Sequence, residues 1–296
     1  MKPFAIILAL VLLVGGISLH VSGLGALLWY SWSLSGKALP EQALNLARYQ
    51  VDIEALEVVG IDDDLSALTY NAERNTLWSV LNGEPLIVEL SLGGQLLRQI
   101  RVEGVSDMEG LTHVGGNRYV LAEERSQRLL IVEIPDDAEQ ISVEQASSLS
   151  IGLDGDGNKG FEGLSWDHVG QRLLVVKERD PLRVLAVTGF VDAPPEGSME
   201  VQISELKAPN SPRLFMSDLS SVTLHEPSGH LLLLSDESRV LVEYDVEGEP
   251  LSLLLLRRGR HGLSATVPQA EGVAIDAERR IYLVSEPNLF YRFVPR

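Results

Sequence analysis

Residues Gly160–Asp180 read GFEGLSWDHVGQRLLVVKERD, and the chain carries this pattern five times. Glu162 stands in register with Ser66, Glu109, Ser220 and Glu271. Two residues on comes an aliphatic position: Leu68, Leu111, Leu164, Val222 and Val273. After a short turn a second apolar run follows: LWSVL, YVLAE, LLVVK, LLLLS and IYLVS. It closes each time at a polar side chain: Asn82, Glu124, Glu178, Asp236 and Glu286. The two polar positions lie 16, 15, 16, 16 and 15 residues apart. A period of about 50 residues made of short strands marks a toroidal repeat array.

The first repeat supplies the unit. SALTY, TLWSVLN, PLIVEL and QLLRQIRVE are separated by the turns NAERN, GE and GG. Four short antiparallel strands make one propeller blade. The fold class is therefore all-β, a five-bladed β-propeller over residues 50–296, with four-stranded antiparallel blades. The fourth strand of the second blade is either ISVEQ or SSLSIG. The fifth repeat stops at Arg296 after three strands, and an open blade would leave an unpaired edge. The alternating segment Val51–Val59 is the spare strand, expected to close the ring against Leu289–Val294. A β-sandwich is the competing architecture, but sandwiches do not repeat a two-point polar motif five times.

Pro3–Leu34 contains no Asp, Glu, Lys or Arg. A bilayer core needs about 20 apolar residues as helix, and Trp29, Tyr30 and Trp32 sit where aromatic rings favour the interface. Residues 1–34 are thus expected to be an N-terminal transmembrane signal-anchor, with 35–49 a linker. Lys2 favours the cytoplasm for the leading end, so the expected location is the cytoplasmic (inner) membrane. The chain would be single-pass, with its propeller on the periplasmic side. A cleaved signal peptide is the alternative reading, and it too exports the rest of the chain.

The formal net charge is -18, which argues against a nucleic-acid partner, because that needs a basic face. Cations, cationic small ligands or an envelope protein are the natural counterparts. With no cysteine, disulfides, thiolate zinc sites and a cysteine nucleophile are excluded.

In a blade, the start of the first strand and the end of the second lie at one end. Both polar positions of every repeat therefore converge on one mouth of the channel. Ser66, Glu109, Glu162, Ser220 and Glu271 form an inner ring. Asn82, Glu124, Glu178, Asp236 and Glu286 form a second ring beside it. Crowded carboxylates rise in pKa unless a cation compensates, and hard cations with oxygen ligands, calcium above all, are the chemical match. Glu109, Glu162, Glu271, Glu124, Glu178, Asp236 and Glu286 are the candidate metal ligands. The plainer reading is that these polar ends close each blade by hydrogen bonding to backbone. Asp154–Asn158, DGDGN, opens like a calcium loop, but Lys159 and Ser165 stand where such a loop needs Gly and Glu, so an acidic turn fits better. Lys177 could face the mouth or solvent. Arg125, Arg128 and Arg179 follow the second ring and are expected to offset its charge.

DDLSALTYNAERNTLWSVLN, SDMEGLTHVGGNRYVLAEERSQRLLIVEI, NKGFEGLSWD with LLVVKERDP, DLSSVTLHEPSGHLLLLSDES and AEGVAIDAERRIYLVSEPNLFYRF together resemble the SdiA-regulated family of membrane-anchored bacterial proteins. The resemblance covers about residues 49–296. It implies a five-bladed propeller with calcium at the channel, distantly similar to NHL-repeat propellers, some of them metal-dependent enzymes. It implies no reaction. Asp64 stands where the family pattern leads one to expect Asn. Two functions stay open: a calcium-stabilised binding module of the envelope, or a calcium-dependent hydrolase of lactones, esters or phosphate esters. In the second, Glu124 or Glu178 would serve as general base.

Overall fold

Short β-branched and leucine-rich runs, broken every five to eight residues by turn-forming side chains, leave this chain one way to bury its apolar surface: strands stacked into blades. The computed structural model describes residues 24–62, 64–152, 160–193, 199–207 and 211–296. In chain order the strands are β1 (Tyr49–Glu57), β2 (Leu65–Asn71), β3 (Thr76–Leu81), β4 (Leu86–Leu90) and β5 (Leu96–Glu103). Next come β6 (Met108–Gly115), β7 (Arg118–Glu123), β8 (Arg128–Glu133), β9 (Gln140–Ser142) and β10 (Ser148–Ser150). The third repeat gives β11 (Phe161–Asp167), β12 (Arg172–Lys177), β13 (Arg183–Thr188) and β14 (Gln202–Lys207). The fourth gives β15 (Ser221–His225), β16 (His230–Ser235), β17 (Val240–Tyr244) and β18 (Pro250–Leu255). The last gives β19 (Ala270–Ile275), β20 (Ile281–Ser285) and β21 (Leu289–Pro295).

These strands make five sheets, and each is one blade. Blade one is β2-β3-β4-β5, blade two β6-β7-β8-β10, blade three β11-β12-β13-β14 and blade four β15-β16-β17-β18. Blade five is β19-β20-β21-β1, so the amino-terminal strand closes the ring. β1 runs antiparallel to β21, from Tyr49 opposite Pro295 to Glu57 opposite Leu289. The closing strand thus begins two residues before the expected Val51 and ends two before Val59. Tyr49 explains the shift. Its ring is fully buried and its hydroxyl donates to the Arg279 carbonyl at 2.8 Å, so the strand is anchored from that residue.

Blade two divides the two candidate fourth strands. SSLSIG supplies β10, antiparallel to β8. Gln140–Ser142 instead crosses to blade one and pairs parallel with β5, Arg101 opposite Gln140. That extension covers an outer edge that would otherwise be open to other chains.

The core is five slabs, each between two neighbouring blades. Trp78, Ile100, Leu111 and Leu130 fill the slab between blades one and two. Phe161, Leu173 and Val120 fill the next. Val176, Val222 and Leu233 fill the third, Leu234, Val273 and Phe293 the fourth, and Leu68, Tyr282 and Phe290 the fifth. Each fully buried side chain of this size contributes about 1.5–3 kcal/mol. Hydroxyls stitch the inner strands across the channel wall. Thr69 accepts from the His113 N–H, Thr112 from Trp166, Ser165 from Leu224 and Ser221 from Val273, at 3.3, 3.0, 3.0 and 3.3 Å.

The expected membrane span is represented only by its end, α1 (Leu24–Leu34). Among the described residues no helix is long and apolar enough to cross a membrane; residues 1–23 of the expected span lie outside the described residues, as does the acidic turn at 154–158. The expected linker is pinned at its far end. The Leu44 and Asn45 N–H groups donate to the two oxygens of the fully buried Glu243 at 2.7 and 3.2 Å, and the Leu46 N–H donates to Ser252 Oγ at 2.8 Å.

Candidate metal centre

One backbone bond, repeated, creates the mouth. The N–H of Asn82 donates to the Asp64 carbonyl, that of Glu124 to Asp107, that of Glu178 to Gly160 and that of Glu286 to Gln269, at 3.2, 3.0, 3.3 and 3.0 Å. Each bond ties the end of a blade's second strand to the residue two before its inner-ring position. The two polar side chains of a repeat are thereby held at the same end. Asp64 and Asp107 adopt left-handed backbone there, with φ of 62° and 60°. Asn and Asp both tolerate that conformation, so Asp64 meets the requirement that the expected Asn would meet.

The inner ring is not uniform. Ser66 Oγ donates to Glu109 Oε2 at 2.5 Å, and the Asn82 amide donates to Glu109 Oε1. Blade one therefore contributes no ring carboxylate but neutralises part of blade two's. Ser220 Oγ donates to the Ala270 carbonyl at 2.7 Å and is structural. The side chains of Glu162 and Glu271 make no hydrogen bond or ion pair within the protein among the described residues, and both residues are half-buried.

Among the described residues, two clusters of acidic oxygens lie at this mouth. Asp107, Glu109 and Glu124 offer one set, and Glu124, Glu162 and Glu178 the other; in each the oxygens lie within 4.8 Å of one another. An ion held at about 2.4 Å from each ligand has ligand oxygens up to twice that distance apart, so either set fits a hard divalent cation. Glu124 belongs to both. One of its oxygens also accepts the Gly160 N–H at 3.1 Å, which locks it between blades two and three.

Four of the seven candidate ligands, Glu109, Glu124, Glu162 and Glu178, fall in these clusters; Glu271, Asp236 and Glu286 do not. Asp236 accepts the Ala270 N–H at 3.0 Å and pairs with Arg239. Glu286 accepts from the Gln269 amide at 2.7 Å. At these places the plainer reading, side chains closing the ring through hydrogen bonds, describes what the residues do. Asp107 joins the centre from outside the two rings. Its signal was available: an Asp two residues before the ring position recurs at Asp64, Asp107 and Asp218. Asp218 uses its carboxylate internally, accepting from the N–H groups of Asp236 and Glu237 at 3.1 Å each.

The electrostatics of the metal-free mouth are those of crowded, desolvated acids. Burial first, then the charges of Glu124, Asp107 and Glu286, raise Glu109 to about 7 against the lowering effect of Ser66. Burial, then Asp236, Glu109, Glu286 and Asp218, raises Glu271 to about 8. Glu162 is pushed well above the carboxylate range by burial and by Glu109, Glu124, Glu271 and Asp218. The direction of each shift is that of a site which disfavours negative charge without a counter-ion.

The nearby cations serve the rim. Arg179 pairs with Glu178 and, at 2.7 Å, with Glu237. Arg125 lies 3.0 Å from Asp107, and Arg128 pairs with Glu123 at 3.0 Å rather than with a ring residue. Lys177 faces neither mouth nor solvent. It is buried and donates to the Arg179 and Asp180 carbonyls at 2.5 and 3.3 Å.

The family model described as SdiA-regulated matches residues 41–294. Among solved structures, a luciferin-regenerating enzyme is similar at TM-score 0.52 and 12% identity, over 82% of this chain and 95% of that one. A nidogen/laminin complex gives TM-score 0.49 and 14% identity, over 76% and 73%. A catalytically inactive virginiamycin B lyase from Staphylococcus aureus with quinupristin gives 0.43 and 12%, over 80% and 68%.

Proposed function

The chain belongs to the SdiA-regulated family, and we propose that it is a calcium-binding propeller whose acidic mouth is a ligand- or protein-binding surface of the cell envelope. The observation that carries this reading is the pair of carboxylate clusters sharing Glu124, with Glu162 given no protein partner among the described residues. All-oxygen donors of this number suit calcium. Asp107, Glu109, Glu124, Glu162 and Glu178 would hold it, and their surplus charge favours a cationic ligand or protein segment at the channel. The apolar amino terminus supports a single-pass anchor in the cytoplasmic membrane with the propeller outside. A reporter fused after Arg296 tests this location: activity only from a reporter that works after export agrees with it, and cytoplasmic activity reverses it.

A second reading is favoured by one observation: Glu124 and Glu178 lie with Glu162 in one cluster of acidic oxygens, so a carboxylate not engaged by a bound ion would stand beside it as a base. A bound divalent ion would supply Lewis acidity to a carbonyl or phosphoryl oxygen. Glu124 or Glu178 would then take a proton from water. The experiment that separates the readings is a hydrolysis panel of lactones, aryl esters and phosphate esters with the full chain in detergent, with and without calcium. Calcium-dependent turnover abolished by Glu162→Gln would overturn the binding reading. No turnover, with metal bound, sustains it.

A further inference from the structure

In a chain with 42 acidic and 24 basic residues, five exposed basic side chains nevertheless gather at one place with no carboxylate paired to them. Arg74, Arg128, Arg172, Arg239, Arg280 and Arg292 are all paired. Lys37, Arg48, Arg260, Arg279 and Arg296 are not, and neither are Arg101, Arg118, Arg257 and Arg258, but the first five share one site: all five are exposed, and among the described residues none has a carboxylate within ion-pair range. These five line a single groove of about 830 Å³ between the segment after α1 and the outer wall of blades four and five. Among the described residues Glu41 is the one acidic side chain on its lining.

The backbone that carries them is fixed. The Tyr49 hydroxyl donates to the Arg279 carbonyl, the Arg296 N–H donates to the Arg48 carbonyl at 3.2 Å, and the Val51 N–H donates to the His261 carbonyl at 2.8 Å. Gathering five cations in one groove costs Coulomb energy that an anion would return. The neighbouring helix adds a second observation. Tyr30 stacks on Phe215 at 4.1 Å and Leu27 is buried, while Leu28, Trp29 and Trp32 are 61%, 60% and 69% exposed. Ser31 and Leu34 of the same helix line the groove. Exposed Trp beside clustered Lys and Arg is the composition that seeks the interface of an anionic bilayer.

We propose that this groove binds the phosphate headgroup of an anionic phospholipid. Arg279 lies in the turn between β19 and β20, at the opposite end of blade five from Glu271. A bilayer held at the groove therefore leaves the acidic mouth pointing away from anionic lipid, which would repel it. The groove is separate from the mouth, so the proposal stands whether or not a cation binds there.

The test uses the full chain in micelles of an uncharged detergent, doped with phosphatidylglycerol or with phosphatidylcholine, or given inorganic phosphate alone. Retained lipid is read by native mass spectrometry and stabilisation by the unfolding midpoint. Phosphatidylglycerol should bind and raise the midpoint; the other two should not. Arg260→Gln with Arg279→Gln should weaken phosphatidylglycerol binding roughly 30-fold, about five-fold per charge, without moving the lipid-free midpoint. If the double variant is destabilised, Arg260→Gln alone should still lose about five-fold. Equal binding of phosphatidylcholine, or full binding by the variants, overturns the proposal. Inorganic phosphate producing the whole effect overturns the lipid assignment in favour of a soluble anion.

Discussion

The Gly160 N–H of blade three donates to Glu124 Oε1 of blade two at 3.1 Å, and this contact joins two blades at the point where the two acidic clusters meet. A Cβ at Gly160 would lie 2.3 Å from the Glu124 carbonyl oxygen and 2.8 Å from its Cγ. The glycine is there because the next blade's backbone must approach that closely.

Gly160→Ala should therefore force blades two and three apart at the mouth. We expect a loss of about 1–3 kcal/mol, the usual cost of overpacking, and weaker divalent-cation binding. Thermal unfolding and metal titration of this variant check both. Unchanged values would show that the contact is slack.

The pH dependence of the metal-free protein follows from the mouth. Glu109 and Glu271 are raised from 4.5 to about 7 and about 8. Between 4.5 and those values the folded state binds more protons than the unfolded state, so their contribution falls as pH rises through that window and levels above it. In chelator, the unfolding midpoint should drop from pH 5 to pH 8. With saturating metal the carboxylates are held ionised and the drop should vanish. A chelated midpoint that climbs over this range contradicts the assignment.

Glu243 is fully buried and accepts from the Leu44 and Asn45 N–H groups, from Ser252 Oγ at 2.5 Å, and lies 2.8 Å from His230 Nδ1. Glu243→Ala strands several buried polar groups and should cost about 3–5 kcal/mol. Hydrogen exchange should rise first at Leu44, Asn45 and Leu46. Exchange unchanged at these amides would show that the segment is held by packing alone.

Ring closure makes another demand. A chain shortened to begin at Val58 lacks β1 and leaves β21 as an open edge. It should aggregate or dimerise through that edge, whereas one beginning at Glu41 should behave as the full propeller does. Sedimentation compares them, and a monomeric folded domain from Val58 would contradict the closure energetics.

The architecture was legible because its signal is redundant. Ser66, Glu109, Glu162, Ser220 and Glu271 recur with an aliphatic residue two positions on, and five weak copies reinforce one another. Details carried by a single copy were not. Gln140–Ser142 and Ser148–Ser150 are both short alternating segments, and only three-dimensional reach decides which blade each joins. Asp107 precedes the ring residue, and although an Asp recurs at that position as Asp64, Asp107 and Asp218, only contacts between side chains decide which of the three reaches an acidic cluster. The fate of Lys177 was hidden likewise: nothing in its neighbours says that carbonyls of residues 179 and 180 wrap around its ammonium. Asp236 and Glu286 are carboxylates like Glu124, and all three accept a hydrogen bond at the ring, yet only Glu124 falls in an acidic cluster, which depends on contacts between repeats.

The most direct test of the acidic mouth is a calorimetric titration of chelator-treated, dialysed full-length protein with calcium, beside Glu162→Gln. We expect saturable binding by the parent chain, at least about tenfold weaker binding by the variant, and stabilisation of about 2.7 kcal/mol when free calcium is a hundredfold above Kd. No heat of binding, no divalent metal in the protein as purified, and the same unfolding midpoint with and without chelator would contradict a metal centre at Glu124.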